Sequence, residues 1–402
     1  MRPFTSTTSV EEARALLKAG VRPVARTEEI ELGKATGRVA AADLAATVFV
    51  PPFSRAAMDG YAVVAEDTRS ASRARPARLR IVERVFTGAL PTHPVSPGHC
   101  AEIATGAPLP VGADAVVMVE ETARIDHEHV AICAEVSVRQ NIGHKGADIS
   151  PGDLVVRRGE LLNPSRLGAI AAIGCARVEV FARPRVAILS TGNEVVPPGA
   201  PLGPGQIYDV NRFTLAAVVE AHGGVAEVHT PARDTLEALH DALDGCVHAD
   251  IMIFSGGSSV GDRDLLVDLV AARGEMVFHG IAVKPGKPTM FATIDGRPFF
   301  GMPGNPTSCL SNAYILLVPF LRASARLPVY APRTVSARLS RRIVSQAGRH
   351  QFYTVRLAGL VASPAFKGSG DITSLSQADG YIEIPASEHI VEEGANVDVT
   401  LF

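Results

Sequence analysis

The sequence predicts a multidomain α/β protein organised around one mostly parallel sheet. Three short apolar runs lie between residues 250 and 306, and each ends in a loop of Gly, Pro, Ser, Asp or Lys. Runs this short, bounded by Gly and Pro, are typical of buried parallel strands. Ligands of such sheets bind just beyond the strand ends, so we expect these loops to line one crevice.

Length and composition set bounds on the architecture. A chain of 402 residues corresponds to two to four domains, and 47% hydrophobic residues suffice for a large buried core. The net charge of −3 and the lack of a basic run argue against nonspecific binding of nucleic acid. We therefore expect no nucleic-acid partner.

The cysteine pattern indicates a reducing compartment. The five cysteines are widely spaced and form no CxxC pair, so neither a zinc ribbon nor a disulfide framework is expected. Such usage fits the cytoplasm. The N-terminal residues lack an apolar signal core, and no apolar run reaches 18 residues, so we expect no membrane partner.

The first segment, residues 1 to about 48, is predicted to contain two helices. Ser9 followed by Glu12 forms a capping-box pattern, and the apolar residues between Val10 and Leu17 define the face of the first helix. A second amphipathic helix, interrupted by glycines, is predicted around Ile30 to Val39.

Residues 49 to about 142 are predicted to interrupt this segment as a mostly β insert, and residues 143 to about 182 resume it. Short β-branched runs between Pro and Gly turns predict the strands Arg78–Val85, Ala115–Val119 and His129–Ile132. The resumed segment is predicted to form a helix over Leu161–Arg177 that ends near Gly174.

Residues 183 to about 325 alternate strands and helices. The predicted order is strand Arg185–Leu189, helix Asn211–His222, strand Val225–Thr230 and helix Leu236–Leu243, followed by the three apolar runs. This alternation implies βαβ units with right-handed crossovers. Residues 326–402 instead predict a small antiparallel β domain, with strands at Val335–Leu339, Phe352–Leu357, Tyr381–Ile384 and Val397–Leu401.

The first of the three loops suits a phosphate. Its residues Ser255-Gly256-Gly257-Ser258-Ser259 present backbone N–H groups and hydroxyls, and a helical pattern begins at Asp264. A Gly/Ser loop that leads into a helix is a common site for a phosphate or another oxyanion. Asp262 and Asp264 add negative charge, which suits a phosphate bound together with Mg2+.

The second and third loops add positive charge and a chain break. Lys284-Pro285-Gly286-Lys287-Pro288 carries two of the six lysines of the chain, and lysine acts as a compact point charge for anions. Met302-Pro303-Gly304-Asn305-Pro306 precedes a helix predicted over Thr307–Leu321. Any one loop is readily explained as an ordinary βα turn, but three loops of complementary charge favour a binding site.

Further polar residues have two explanations from the sequence alone. Glu194 and Asp234 come just after strand ends, where a metal ligand or an acid would lie, but a helix N-cap explains either equally well. Asp59, Thr105 and Asp148 lie in turns, where a structural role is the commoner explanation.

Together these motifs resemble those of the MoeA family, the molybdopterin molybdenumtransferases. The similar segments are SGGSSVGDRD, KPGKP and MPGNP in this order, with PPFSRAAMDGYA (Pro51–Ala62), ATGAPLP (Ala104–Pro110), GADI (Gly146–Ile149) and STGNE (Ser190–Glu194). Each motif is weak alone, but seven in register over nearly the whole chain are specific.

The resemblance implies a four-part fold. Residues 1–48 and 143–182 would form an elongated N-terminal domain, and residues 49–142 an inserted mostly β domain. Residues 183–325 would form an α/β domain that resembles molybdopterin adenylyltransferase and binds the pterin nucleotide, and residues 326–402 a small β-barrel-like domain. The resemblance also implies a homodimer with an active site shared between subunits, and other proteins of molybdenum cofactor biosynthesis as further partners.

The activity that the resemblance implies is insertion of molybdate into adenylylated molybdopterin, with Mg2+-dependent release of AMP. The residues expected to act in catalysis are Asp59, Asp148, Glu194, Asp234 and Asp264, of which Glu194 and Asp264 would also bind Mg2+. The residues expected to bind substrate are Thr105, Ser255, Gly256, Gly257, Ser258, Lys284, Lys287, Pro288, Pro303, Asn305, Arg349, Arg356 and Ser369. Among these, the lysines, one of the arginines and Ser369 would hold molybdate.

Two positions depart from the family pattern. Arg349 and Arg356 both lie near the family's molybdate arginine, and Thr354 stands where some members carry another arginine. His279-Gly280 stand where several members carry a basic residue before KPGKP, and His279 can carry a charge near neutral pH.

Two alternative functions remain open at this point. An adenylyltransferase acting on ATP and metal-free molybdopterin would use the same sheet domain, although residues 1–180 and 326–402 argue against it. A non-catalytic paralogue acting as a dimeric scaffold is disfavoured by the intact carboxylates and lysines. Tungstate in place of molybdate is a further variant.

Overall fold

The computed structural model describes residues 7–256 and 265–402, which divide into two compact units. The smaller unit is Glu29–Glu179, and the larger consists of Val180–Phe402 together with the chain up to Glu28. None of the described helices combines the length and apolar character needed to cross a lipid bilayer. The finer four-domain division, with boundaries near 48, 142, 182 and 325, stays a prediction.

The smaller unit is built on a six-stranded sheet. In spatial order its strands are Ala115–Met118, Gly60–Val63, His99–Ile103, Ser72–Val85, His129–Ala134 and Thr122–Arg124. Alternate residues of one strand pack into different cores: Tyr61 and Val63 into one, Ala62 into the other. Both faces of the sheet are therefore covered, as the period of two in a strand requires. The predicted strands of the β insert are confirmed.

Short pairings and a helix complete this unit. Leu44–Ala45 pairs with Leu154–Val156, and Arg55–Ala56 with Ile142–Gly143. Thr27–Glu31 pairs with Arg177–Phe181. The helix Pro164–Ala172 begins at Asn163, whose side chain accepts a hydrogen bond from the Arg166 N–H at 2.9 Å. The 3₁₀ turns are Leu32–Lys34, Ala65–Thr68 and Val119–Glu121.

The second predicted helix, around Ile30 to Val39, is wrong. The chain there forms the strand Thr27–Glu31 and the 3₁₀ turn Leu32–Lys34. Gly37 adopts a φ of +74°, which is outside the helical region, and the Leu32 N–H donates to the Ala176 carbonyl. Pairing with a distant segment therefore outweighs a helical pattern that glycine already weakens.

The N-terminal helix Val10–Gly20 belongs to the larger unit. The Ser9 hydroxyl accepts a hydrogen bond from the Glu12 N–H at 3.1 Å, which confirms the predicted cap. Val10, Ala13 and Leu17 are buried in the same core as Val186. The helix thus packs with the sheet of the larger unit, and the grouping of residues 1–48 into one domain stays a prediction.

A second six-stranded sheet forms the centre of the larger unit. In spatial order its strands are Val225–Val228, Arg185–Ser190, Ile251–Ser255, Arg297–Met302, Met290–Ile294 and Gly274–His279. The first four are parallel. The surrounding helices are Asn211–Ala221, Leu236–Asp244, Leu265–Arg273, Pro306–Asn312 and Val318–Ser324, and Val195–Val196 pairs with Ile207–Tyr208 outside the sheet.

The sheet is mixed, although the sequence predicted buried parallel strands. Met290–Ile294 is antiparallel to both of its neighbours, Arg297–Met302 and Gly274–His279. Because two antiparallel pairings restore the original direction, Gly274–His279 runs parallel to Arg297–Met302. Its carboxyl end therefore lies at the same sheet edge, as the sequence analysis expected for all three runs.

The helix predicted over Thr307–Leu321 has three parts in the structure. A short α-helix, Pro306–Asn312, leads into a π-helical segment, Ala313–Leu317, and then into the α-helix Val318–Ser324. Single π turns of this kind occur frequently at functional sites.

The C-terminal region forms a closed five-stranded barrel. Thr334–Leu339, His350–Ala358, Val361–Pro364, Gly380–Ile384 and Asn396–Leu401 are linked in a ring, because His350–Ala358 pairs with both Val361–Pro364 and Gly380–Ile384. Val355, Ala362, Ile382 and Val399 fill its interior. Ile343–Val344 pairs with Ile390–Val391, and Thr373–Ser376 is a single helical turn. The predicted barrel-like domain is confirmed.

Candidate functional site

The loops that follow the parallel strands meet at one edge of the central sheet. The register places Ser190 opposite Ser255, and Ser255 opposite Met302. Beyond these residues, the Thr191 N–H donates to the Ser255 carbonyl at 2.8 Å, and the Gly256 N–H to the Met302 carbonyl at 3.1 Å. The ends of these strands therefore lie side by side at the edge where the sequence analysis expected a crevice.

Gly256 lets two loops approach closely. Its φ is +97°, and a Cβ at this position would overlap the Thr191 carbonyl oxygen. The Gly256 N–H donates to the Met302 carbonyl, and Ser255 is a buried strand residue, so the role in substrate binding expected of these two residues stays a prediction. The other expected residues of this loop, Gly257 and Ser258, lie outside the described residues, as does Asp264.

Glu194 and Asp234 form an acidic pair at this edge. Burial is the largest cause that raises the pKa of Asp234, and the nearby charge of Glu194 adds to it, against a hydrogen bond from the Asn193 backbone. The Asp234 Oδ1 atom is buried and has no hydrogen-bond partner among the described residues. Such an oxygen fits an external donor or a cation better than it fits a structural cap.

Asp209 and Asn211, which the sequence analysis did not assign to the site, form hydrogen bonds to its loops. The Asp209 Oδ1 atom accepts hydrogen bonds from the Ser190 hydroxyl at 2.9 Å and from the Arg212 N–H at 3.1 Å. The Asn211 amide donates to the carbonyls of Pro303, at 3.4 Å, and Gly304, at 2.8 Å. In the sequence, the polar turn Tyr208-Asp209-Val210-Asn211 is the feature that could have indicated these two residues.

The lysine loop is joined to the C-terminal barrel. Val283–Lys284 forms a two-residue strand that pairs in parallel with His350–Ala358, with Lys284 opposite Gln351. The half-buried Lys287 and Pro288 follow within the same loop. The strand of His279 ends just before this loop, and His279 lies opposite Met290.

The pairing of Lys284 with Gln351 also distinguishes the two candidate arginines by their distance from the lysine loop. Arg349 immediately precedes the residues that pair with Val283 and Lys284. Arg356 lies five residues beyond Gln351 on the strand, which corresponds to about 17 Å. Its guanidinium donates to the Gln377 carbonyl at 2.6 Å and to the Gln377 side chain. The geometry therefore favours Arg349 as the neighbour of the lysine loop.

The Met302–Pro306 loop contacts a turn of the barrel region. The Asn305 amide donates to the Ser369 hydroxyl at 3.3 Å. The Ser369 carbonyl accepts from the N–H groups of Thr307, at 3.1 Å, and Ser308, at 3.4 Å. Pro303 is buried directly after the strand Arg297–Met302, at the start of this loop.

In the smaller unit, Thr105 and Asp59 lie together. The Asp59 carboxylate accepts from the Thr105 N–H and hydroxyl, and both hydrogen bonds lower the pKa of Asp59. Asp148 is exposed, and its own N–H donates to the Val50 carbonyl at 3.0 Å. Among residues 7–256 and 265–402, no three His, Cys, Asp or Glu side chains form a cluster suited to a metal ion.

Comparison with known families decides the classification. Residues 8–174 match the MoeA N-terminal region (domain I and II), residues 187–323 a probable molybdopterin binding domain, and residues 336–402 the MoeA C-terminal region (domain IV). This chain belongs to the MoeA family. The resemblance inferred from the seven motifs is thereby confirmed.

Relatives of the MoeA family match the chain over most of its length. Molybdopterin molybdenumtransferase 2 of Mycobacterium tuberculosis is 35% identical, over 98% of this chain and 99% of its own. Molybdopterin molybdenumtransferase of a Nostoc species is 33% identical, over 92% of this chain and 88% of its own. As a MoeA protein, the chain is an enzyme of molybdenum cofactor biosynthesis.

Solved MoeA structures share the fold. A molybdopterin biosynthesis MoeA protein from Pyrococcus horikoshii superposes with a TM-score of 0.85 at 40% identity, over 98% of this chain and 99% of that one. A second MoeA structure from the same organism gives 0.82 at 30% identity, over 99% and 100%. The mixed α/β architecture expected for MoeA is confirmed.

Proposed function

We propose that this MoeA protein is a molybdopterin molybdenumtransferase that inserts molybdate into adenylylated molybdopterin and releases AMP. The observation that carries the proposal is the pairing of Lys284 with Gln351. This pairing places the lysine loop beside the segment that begins at Arg349, and both offer positive charge to an anion. The relatives with this activity in their names cover the chain nearly end to end.

The anion subsite of the proposal is a tetrahedral oxyanion pocket. Lys284 and Lys287 provide ammonium groups, Arg349 a guanidinium, and Ser369 a hydroxyl that also contacts Asn305. Charged donors form stronger hydrogen bonds to oxyanions than neutral donors do. These groups bind molybdate through its oxygens, and tungstate has the same shape and charge.

The pterin nucleotide takes the crevice at the carboxyl edge of the central sheet. Open sheets of this kind bind ligands just beyond their strand ends. Asn211 supports this crevice, because its amide holds the carbonyls of Pro303 and Gly304. The remaining donors for the pyrophosphate are expected from Gly257 and Ser258, which lie outside the described residues.

The described carboxylates fit a divalent cation. Asp234 has a buried oxygen without a hydrogen-bond partner among the described residues, and the charge of Glu194 lies near it. Mg2+ is commonly held by one or two carboxylates together with substrate phosphates. Glu194 would hold the ion together with Asp264, which lies outside the described residues, and the ion would offset the negative charge of the pyrophosphate.

The acidic residues are assigned to the orientation of water and to proton transfer. Release of AMP requires a water to attack the phosphoanhydride while the dithiolene approaches molybdate. Asp59, Asp148, Glu194 and Asp234 provide groups that orient this water or accept its proton. The hydrogen bonds from Thr105 keep Asp59 ionised, which suits it to orient the water by accepting a hydrogen bond.

A homodimer in the cytoplasm with a shared site completes the proposal. The family resemblance supports the homodimer. In such a dimer, Asp59, Thr105 and Asp148 would act on the sheet unit of the second subunit. Mixing Asp59→Ala protein with Lys284→Ala protein tests this arrangement. A shared site predicts partial recovery of activity in the mixture, because one of the two sites of a mixed dimer is intact. Without recovery in dimers shown to exchange subunits, the shared site is wrong.

The central test is AMP release from adenylylated molybdopterin with Mg2+, with and without molybdate, for wild type, Asp59→Ala and Lys284→Ala. The proposal expects release that depends on both ions and is lost in both variants. Nucleotide binding without release would instead indicate a scaffold. Consumption of ATP with metal-free molybdopterin would indicate an adenylyltransferase.

A further inference from the structure

A buried asparagine lies directly beneath the lysine loop. Asn312 is fully buried at the end of the helix Pro306–Asn312. Its amide nitrogen donates to the Gly286 carbonyl at 2.9 Å and to the Thr289 hydroxyl at 2.6 Å. The Thr289 hydroxyl in turn donates to the Gly286 carbonyl at 2.9 Å. These three groups form a closed network inside the loop that carries Lys284 and Lys287.

The orientation of the Asn312 amide follows from its partners. A backbone carbonyl can only accept, so the amide nitrogen must face Gly286. The Thr289 hydroxyl already donates to the same carbonyl, so it must accept from Asn312. Both hydrogens of the amide nitrogen are therefore committed to the loop.

Contact between the loop backbone and this side chain is close. Gly286 adopts a φ of +101°, and a Cβ built on it would overlap the Asn312 side chain. The loop backbone therefore packs directly against the Asn312 amide. Asn312 thus fixes the position of the backbone that carries the two lysines.

Stability alone does not explain an amide here. Asn312 lies among the buried apolar residues Cys309, Ala313 and Leu316, where a leucine would be buried at lower cost. The Asn312 Oδ1 atom has no hydrogen-bond partner among the described residues, which adds to the cost. An unsatisfied buried group of this kind requires an explanation, and the hydrogen bonds of the amide nitrogen provide it.

One short helix connects this network to the other side of the anion subsite. At its beginning, Asn305 and Thr307 contact Ser369. At its end, Asn312 contacts Gly286. The six residue steps from Pro306 to Asn312 span about 9 Å in an α-helix. The helix is thus a rigid spacer between the Ser369 turn and the lysine loop.

We propose that Asn312 is a positioning residue for oxyanion capture: through Gly286 and Thr289 it holds the lysine loop at a set distance from Ser369. This inference rests on the proposed function, because it assumes that the loop binds molybdate. It assigns to Asn312 no contact with substrate.

The test compares Asn312→Leu and Thr289→Val with Ser324→Ala. The first two remove hydrogen-bonding groups of the network while keeping similar shapes. Ser324 is also buried in a helix of the same segment, but its hydroxyl bonds to the Phe320 carbonyl, away from the loop. The measurements are the half-saturating molybdate concentration for AMP release, the Kd for AMP, and urea unfolding.

We expect Asn312→Leu to raise the half-saturating molybdate concentration about tenfold or more, with the Kd for AMP within about twofold of wild type. Thr289→Val should raise it by less. The double variant should show less than the product of the two effects, because both changes break one network. Ser324→Ala should leave both constants unchanged.

A folded Asn312→Leu protein with the wild-type molybdate requirement would overturn the inference, as would equal losses of molybdate and AMP affinity. Should Asn312→Leu fail to fold, Thr289→Val decides by the same criteria. Hydrogen exchange of residues 283–290, which needs no substrate, separates this inference from the proposed function. If wild type released no AMP, the proposed function would fail; unchanged exchange in the variants would show that the network does not hold the loop.

Discussion

The Thr105 N–H and the Thr105 hydroxyl both donate to the same oxygen of Asp59, at 2.6 and 2.9 Å. These two hydrogen bonds, the backbone one first, lower the pKa of Asp59 below its ordinary value. Asp59 is therefore ionised at neutral pH, and its exposure to solvent also favours the charged form. It is therefore suited to accept hydrogen bonds, and a role as a general acid is disfavoured.

Removing the Thr105 hydroxyl should move the acid limb of the pH profile. In Thr105→Val one of the two hydrogen bonds to Asp59 is lost, so the pKa of Asp59 rises towards its ordinary value. Since the ionised form is the useful one, the acid limb of AMP release should shift to higher pH, while the rate at pH 8 falls only severalfold. Asp59→Asn should lose about 100-fold at all pH values. A Thr105→Val profile that coincides with wild type would contradict this role.

Substitutions of the two candidate arginines should have different effects on the half-saturating molybdate concentration. Arg349 precedes the residues that pair with the lysine loop, whereas Arg356 bonds to Gln377 farther along the strand. Arg349→Ala should raise the half-saturating molybdate concentration about tenfold or more, because it removes a charged donor. Arg356→Ala is the matched control and should leave that value within about twofold. The reverse ranking would exchange the roles of the two arginines.

Ser369 should affect anion binding more than stability. Its carbonyl holds the Thr307 and Ser308 N–H groups, and this contact survives in Ser369→Ala. The hydroxyl, which contacts Asn305, is lost. We expect a few-fold higher molybdate requirement, and a free energy of unfolding within about 0.5 kcal/mol of wild type. Urea unfolding and AMP release measure the two quantities, and a variant that loses stability without losing affinity would refute the assignment.

Asp250 should make stability depend on pH. Burial alone would raise the pKa of Asp250, but the hydrogen bonds from Arg26, at 2.7 and 2.8 Å, and from the Arg185 N–H together lower it. A carboxyl with a lowered pKa stabilises the fold fully above its unfolded value, about 3.9, and loses this contribution as the pH falls through the folded value.

Asp250→Asn should therefore cost about 1–2 kcal/mol at pH 7, and the difference from wild type should shrink below about pH 4. Urea unfolding at several pH values measures it. Glu66→Gln is the control, since the Glu66–Arg69 pair is exposed and should contribute little. A deficit in Asp250→Asn that stays constant down to pH 3 would contradict this account.

Local patterns in the sequence were enough for most of the strands and helices. The cap at Ser9 and the helix after it depend on residues within one or two helical turns of each other. The strand Ile251–Ser255 likewise depends on a short run of adjacent apolar residues. The seven motifs also sufficed for the family, because they lie in register along the chain. The helix predicted around Ile30 to Val39 failed because its backbone pairs with a segment about 145 residues away in the sequence, at Ala176.

What the sequence by itself determined, then, is the alternation of elements, the barrel strands, the MoeA membership and the set of candidate charged residues. Only the tertiary structure decided which of these residues meet. It favours Arg349 over Arg356 through a strand pairing with Lys284, uses the Gly256 N–H within the fold, and places Asn312 under Gly286. The physical reason is that periodicity and capping depend on neighbours in sequence, whereas these contacts join segments that only the packing of the whole unit brings together.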